Sequence, residues 1–262
     1  METVAPVSLA ASWDNVGLLI GSAAAEISGI FLGLDPTEQL LAEARACGAN
    51  TIVTHHPVIF RPLKALRTEQ PEGRFIAEAL AAGMHIIGCH TNFDCTNSGV
   101  SDWMAKKLGL KGLLPLQDAT TCPQDENRLC GLGRIGTYEP ALSADLFLSR
   151  LKSALSAPWM LAAGPRPGSI SRVAVCGGSG SELAQVAHAK GADVFVTGEV
   201  KHSHARWAES ARLWLIDAGH FATENPAMEL LAQKIRNHLT PLDSGVNVTL
   251  SREQISPLQI VT

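Results

Sequence analysis

Short apolar runs alternate with longer amphipathic stretches along most of this chain, and the alternation predicts its elements. Ile30-Phe31-Leu32-Gly33-Leu34, Thr51-Ile52-Val53-Thr54 and His85-Ile86-Ile87-Gly88 have the length and apolar content of buried strands. Between them, residues 37–47 and 72–82 carry apolar positions at helical spacing. The first has Thr37 as N-cap and Gly48 as its stop, and the second ends at Gly83. His56 precedes Pro57, which holds it extended. A third helix is expected over 98–108, capped near Asn97 or Ser98 and closed by Gly109.

A looser middle follows, with Leu113-Leu114-Pro115 and Thr120-Thr121-Cys122-Pro123, and then the alternation resumes. Helices are expected over 142–155, 181–190 and 202–211, and strands over 172–176, 194–197 and 213–216, with Pro165-Arg166-Pro167-Gly168 as a turn. The last helix spans 226–239, with Asn225 as N-cap and Pro226 at the first helical position, where its missing N–H costs nothing. Strands alternating with helices predict an α/β fold with mainly parallel sheets.

The pattern also repeats. Gly48 to Thr54 matches Gly191 to Thr197 at an offset of 143, and the same offset lays Ile30-Phe31-Leu32 on Val173-Ala174-Val175. Ile86 to Asp94 matches Ile216 to Glu224 at an offset of 130, so His90 aligns with His220 and Asp94 with Glu224. Three matches in one order, on one strand–helix frame, predict two related α/β domains, residues 1–125 and 126–262.

Composition narrows the class. The chain has 262 residues, 46% hydrophobic and 18% charged, which suits a soluble protein with proper cores. A net charge of −4 leaves no basic footprint and argues against duplex nucleic acid as a partner. The six cysteines (Cys47, Cys89, Cys95, Cys122, Cys130, Cys176) contain no Cys-x-x-Cys pair, against a zinc knuckle and against a disulfide framework. There is no signal-peptide pattern and no apolar stretch of the roughly 18 residues a membrane helix needs. The expectation is a cytoplasmic protein with no membrane partner.

Candidate chemistry gathers at strand ends. Thr54-His55-His56-Pro57, His90-Thr91-Asn92-Phe93-Asp94 and His220-Phe221-Ala222-Thr223-Glu224 each follow an apolar run. In parallel α/β sheets ligands bind beyond the carboxyl ends of the strands, where these loops emerge. Imidazoles and carboxylates are the ligand set of first-row divalent metals, and His55, His56, Asp94, His220 and Glu224 supply donors for two ions. Zn, Fe, Mn, Co and Ni all suit that set. Two ions about 3.5–4 Å apart activate water and polarise a carbonyl, phosphoryl or imine group, which is hydrolytic chemistry. Because the helices are expected to begin near Asn97 and Asn225, both His-x-x-x-acid segments read as loops. His55 and His56, in an extended segment, are expected to point to opposite sides. The metal site is placed in the cleft between the two domains.

Other histidines and two glycine motifs weigh less. His85, His188 and His238 read as surface or satisfied core residues, while His202 and His204 stay open between that reading and a role at the site. Gly131-Leu132-Gly133-Arg134-Ile135-Gly136 fits a dinucleotide fingerprint, but Glu139-Pro140 follows where a helix should open. Gly177-Gly178-Ser179-Gly180 reads as a tight turn with Ser179 and Glu182 as a capping box, or as a phosphate cradle.

With these residues in hand, the chain resembles the dinuclear-metal-centre family known as GTP cyclohydrolase type 2 homologues. The resemblance rests on Trp13-Asp14-Asn15-Val16-Gly17-Leu18, Thr54-His55-His56-Pro57, His90-Thr91-Asn92-Phe93-Asp94, Thr197-Gly198-Glu199 and Asp217-Ala218-Gly219-His220-Phe221-Ala222-Thr223-Glu224. It implies a homohexamer with two divalent ions per subunit held by His55, His56, Asp94, His220 and Glu224. His90 then stands behind the ligands or joins them, and His90 and Glu199 are candidates to shuttle the proton. The implied reaction is hydrolytic opening of a guanine nucleotide ring, with attack at C8 and loss of formate. The alternatives are a protein that stores or delivers metal or binds a partner without catalysis, and a purely structural role for the ions. The stretch from Ser244 to Thr262 matches no part of the resemblance.

Overall fold

Eleven strands form two sheets in the computed structural model, which describes residues 1–119 and 130–261. The segment Thr120-Thr121-Cys122-Pro123 and the boundary expected at 125/126 lie outside the described residues. In chain order the strands are β1 (Gly17–Ile20), β2 (Gly29–Gly33), β3 (Thr51–Thr54), β4 (His85–Gly88), β5 (Lys111–Asp118) and β6 (Gly131–Ser143). Then come β7 (Leu161–Ala163), β8 (Ser169–Val175), β9 (Val194–Thr197), β10 (Trp214–Asp217) and β11 (Asn247–Leu250). The helices are α1 (Glu38–Ala46), α2 (Pro71–Ala81), α3 (Thr91–Cys95), α4 (Val100–Leu108) and α5 (Ala144–Leu155). The remaining four are α6 (Ala184–Ala189), α7 (His202–Ala211), α8 (His220–Glu224) and α9 (Met228–Leu239).

The chain divides into two compact units, Met1–Phe93 with Met228–Thr262, and Asp94–Ala227. These share most residues with the expected halves, 1–125 and 126–262, but the divisions fall elsewhere. Asp94 and the described residues up to Ala119 pack with the second unit. The C-terminal segment returns to the first, because β11 adds in parallel to β2 and Arg236 of α9 donates to the Val248 carbonyl.

In the first unit the strand order is β1-β4-β3-β2-β11. Three of its four pairings are parallel, and only the edge strand β1 runs antiparallel, beside β4. β2 and β3 are buried along their whole length, as continuous apolar runs in a parallel sheet should be. Leu40 and Ala44 of α1 and Phe75, Ile76 and Ala79 of α2 close over Phe31, Ile52 and Ile86. Thr37 caps α1 as expected, its side chain accepting from Leu40 N–H.

The second unit has the order β5-β6-β8-β9-β10-β7. Here only β8/β9 and β9/β10 are parallel, and the other three pairings are antiparallel. The expected mainly parallel sheet therefore holds for the first unit and is corrected for the second. The cause is β6, a long strand that carries the whole Gly131-to-Gly136 motif and pairs antiparallel with both neighbours. Glycine is depleted in strands, so this run did not read as one. It opens no helix, in keeping with the rejection of a dinucleotide fingerprint. Arg134 on β6 is fully buried and paired with Asp102 of α4 at 2.6 Å, and its Nη1 donates to the carbonyls of Gly131 and Gly133.

The repeat is visible in the register. Ile30 faces Thr51 and Val173 faces Val194, each pair displaced by the same 143 residues. On the next strand Thr51 faces His85 while Val194 faces Trp214, so the strand offset there is 129. The sequence offset of 130 is right for the histidines because the second copy carries one more residue between strand and histidine, Ala218-Gly219 against Cys89 alone.

Smaller departures concern caps and cysteines. Asn225 does not cap α9; it begins a single 3-10 turn, Asn225–Ala227, that precedes the helix. Cys47, Cys89, Cys95 and Cys176 form no disulfide, whereas Cys130 is disulfide-bonded, a bond the cysteine spacing did not announce.

Candidate metal centre

In the first unit the parallel ladder continues just past β3, where His55 N–H donates to Gly33 O and His56 N–H to Leu34 O. The chain then bends, and the two rings lie 5.2 Å apart rather than on opposite sides of a strand. That corrects the alternation expected for an extended segment. His90 follows β4, and one nitrogen from each of His55, His56 and His90 lies within 4.8 Å of the others.

Each of these imidazoles is held through Nδ1. His55 Nδ1 donates to the Cys89 carbonyl at 2.8 Å, His56 Nδ1 to Asp35 Oδ1 at 2.6 Å, and His90 Nδ1 to Asp14 Oδ1 at 2.9 Å. A carbonyl or carboxylate can only accept, so Nδ1 carries a proton, and in the neutral ring Nε2 presents the lone pair. Oriented imidazoles whose second nitrogen is tied to an oxygen are the arrangement metal sites use to fix the tautomer and raise ligand basicity. Burial works to raise the Asp14 carboxyl, but the hydrogen bonds from His90 and Thr91 outweigh it and hold it at about 2. Asp14 is therefore an anion wherever His90 is to coordinate.

In the second unit His220 sits between two carboxylates. Its Nδ1 lies 2.8 Å from Glu199 Oε1 and its Nε2 lies 2.9 Å from Glu224 Oε2. Glu224 is buried at 3% exposure, while Glu199 is largely exposed. The expected loop is corrected here: His220 and Glu224 are the ends of the short helix α8, one turn apart on one face. Asp94 likewise lies on the short helix α3, four residues after His90. Two features start α8 early: Gly219 at φ 84°, and Asp217, which accepts from Gly219 N–H and Val200 N–H. Burial raises the Asp217 carboxyl against those two bonds.

The glycine loop after β8 takes its shape from this pair. Gly178 has φ +62°, and a Cβ there would lie 2.0 Å from Glu224 Oε1 and 3.3 Å from His220 Nε2. Gly178 N–H donates to Thr223 Oγ1 and Gly180 N–H to Thr197 Oγ1, each at 3.0 Å. Two amides that a phosphate cradle would need are thus engaged, and the short helix after the loop has no side-chain cap. The loop packs onto the carboxylate.

Three of the outlying histidines have structural contacts. His204 pairs with Ser181 Oγ, His85 Nδ1 accepts from Ser22 N–H, and His188 meets Trp207 edge-on. Asp14 stands in a sequence motif that announces no role for it and Asp35 in none, yet these carboxylates orient His90 and His56. Gln254, in the C-terminal tail, carries no sequence signal either. Gln254 Oε1 accepts from the N–H groups of Leu34 and Asp35, and its Nε2 donates to Asp35 O. No local pattern announces these partners, since each is distant in sequence from what it holds.

No helix among the described residues is long and apolar enough to cross a membrane. A family model described as Duf34/NIF3 (NGG1p interacting factor 3) matches residues 1–257, which takes in most of the tail. A Clostridium perfringens protein named GTP cyclohydrolase 1 type 2 homolog is 30% identical over all of this chain and 97% of its own length. One of the same name from Lactococcus lactis is 33% identical, with 98% and 95% covered. The crystal structure of a hypothetical protein from Staphylococcus aureus superposes with a TM-score of 0.89 at 30% identity, covering 99% of this chain and 96% of that one.

Proposed function

This chain belongs to the Duf34/NIF3 family, and from that premise we propose that it is a metal-dependent hydrolase acting on a small, nucleotide-like molecule. The observation that carries the reading is the three-histidine cluster, with every Nδ1 anchored and one ring nitrogen from each histidine within 4.8 Å of the others. Held through Nδ1, the three rings present Nε2 as the ligand nitrogen, which is how metal-ligating histidines are oriented. The donors fit a first-row divalent metal: neutral imidazoles backed by oxygen acceptors, and a buried carboxylate on α8.

His55, His56, Asp94, His220 and Glu224 hold two such ions in this reading. When bound, the ions supply Lewis acidity for hydrolytic attack on a polarised carbon. The chain's own residues orient that chemistry. Asp35 and the Cys89 carbonyl fix His56 and His55. Glu199 fixes His220 from the exposed side, and His90, backed by Asp14, stands as ligand or proton carrier. Relatives named GTP cyclohydrolase 1 type 2 homolog make guanine ring opening the reaction to test first. The reading also expects a cytoplasmic homohexamer.

The test begins with protein purified without a histidine tag. Elemental analysis is expected to return about two equivalents of a first-row divalent metal per chain, and GTP incubated with it to release formate. His56→Ala and Glu224→Ala are each expected to lower the metal content while the chain stays folded by circular dichroism. Verified metal without formate removes the cyclohydrolase reaction, and full metal content in both variants removes the site.

A further inference from the structure

Trp13 and Phe60 are the exposed aromatic side chains among the described residues, at 62% and 41%, and they are neighbours. Their ring centroids lie 5.9 Å apart at 67°. Scattered exposed apolar residues need no explanation, but two large rings side by side in water do. Both also meet the same metal-cluster histidine edge-on, Trp13 at 6.1 Å and Phe60 at 6.0 Å from the His90 ring.

The backbone fixes this spacing. Asp14, next to Trp13, is bound to His90 Nδ1 and to Thr91 through both backbone and hydroxyl. Asn15 then reaches across and donates from Nδ2 to Ile59 O at 2.6 Å, beside Phe60. The loop carrying the tryptophan is thus tied to the histidine and to the segment carrying the phenylalanine. Arg61 adds a cation, its guanidinium carbon 5.9 Å from the Phe60 ring centre.

We propose that Trp13 and Phe60 are a stacking site for a planar heteroaromatic ring that carries an anionic group, with Arg61 meeting the anion. An aromatic face accepts any base through its π surface, and a nearby arginine adds charge. The proposal deepens the hydrolase reading and rests on it only for the statement that the stacked ring is the substrate. Ring binding itself is independent of catalysis.

The experiment titrates GMP into the metal-loaded full chain by calorimetry, with ribose 5-phosphate as an anion that has no ring. GMP is expected to bind at least tenfold more tightly than ribose 5-phosphate. Trp13→Ala and Phe60→Ala are each expected to weaken GMP about tenfold, as loss of one stacking partner does, and to leave ribose 5-phosphate unchanged. Trp13→Phe, which keeps a ring, is expected to recover most of the loss, and Arg61→Ala to weaken both ligands. Elemental analysis of the same samples is expected to show unaltered metal, so a failure of stacking is told apart from a failure of the metal reading. GMP binding unchanged in both alanine variants overturns the proposal, as does wild-type protein that does not distinguish GMP from ribose 5-phosphate. A changed oligomeric state with unchanged GMP binding also overturns it, and assigns the two rings to a contact between copies.

Discussion

At the scale of single residues, the candidate centre depends on side chains outside the proposed ligand set. Asp14 and Asp35 each take Nδ1 of a histidine, whereas Glu199 shares His220 with Glu224, one carboxylate at each ring nitrogen. Gly178 works by having no side chain. Its backbone is left-handed, and the space a Cβ would fill is held by the Glu224 carboxylate. Gly178→Ala therefore meets two penalties, a conformational cost of about 1–2 kcal/mol and displacement of Glu224. The expected result is a lower urea midpoint together with a metal dissociation constant raised at least tenfold. An alanine variant with wild-type affinity would show that Glu224 is not held by the loop. The three clustered histidines and the His220–Glu224 pair were legible from residue type and strand-end position. Their partners were not, because hydrogen bonds such as Asp14 to His90 join residues 76 apart.

At the scale of elements, the apolar runs of the two parallel sheet centres announced themselves. β3, β4 and β9 match their expected bounds, and α7 does too. What escaped was short or unusual in composition. α3 and α8 are single turns with no room for a helical pattern, yet α8 places histidine and glutamate on one face. β6 was hidden by its glycines, and β11 by its distance from the sheet it joins. β11 also brings in Gln254, whose three hydrogen bonds brace the loop bearing Asp35. Gln254→Ala leaves two amides and one carbonyl of that loop without their partner, and the expected loss is about 1–3 kcal/mol of stability, read from urea unfolding. Because Asp35 holds His56, metal affinity is expected to fall several-fold in the same variant. Unchanged stability would show that Gln254 only rests on the surface.

At the scale of the whole chain, the fold is a strand–helix repeat used twice, with different additions at its margins. The order β4-β3-β2 recurs as β10-β9-β8, all parallel, and each copy ends on an antiparallel edge strand, β1 or β7. The repeat was legible because buried parallel strands tolerate few residue types. The additions were not, since β11 and β6, which flank the equivalent strands β2 and β8, come from opposite ends of the repeat in the chain and run in opposite senses. A histidine and an acid at the same place in both copies are the reason to assign one shared chemistry to them. The central claim is that His55, His56, Asp94, His220 and Glu224 hold a pair of cations together. Anomalous diffraction from crystals of metal-loaded protein, collected at the absorption edge of the bound element, addresses it directly. The account predicts two peaks about 3.5–4 Å apart, ligated by both tandem histidines and by the carboxylates of Asp94 and Glu224. A single peak, or two peaks with the Glu224 carboxylate outside coordination distance of either, would contradict it.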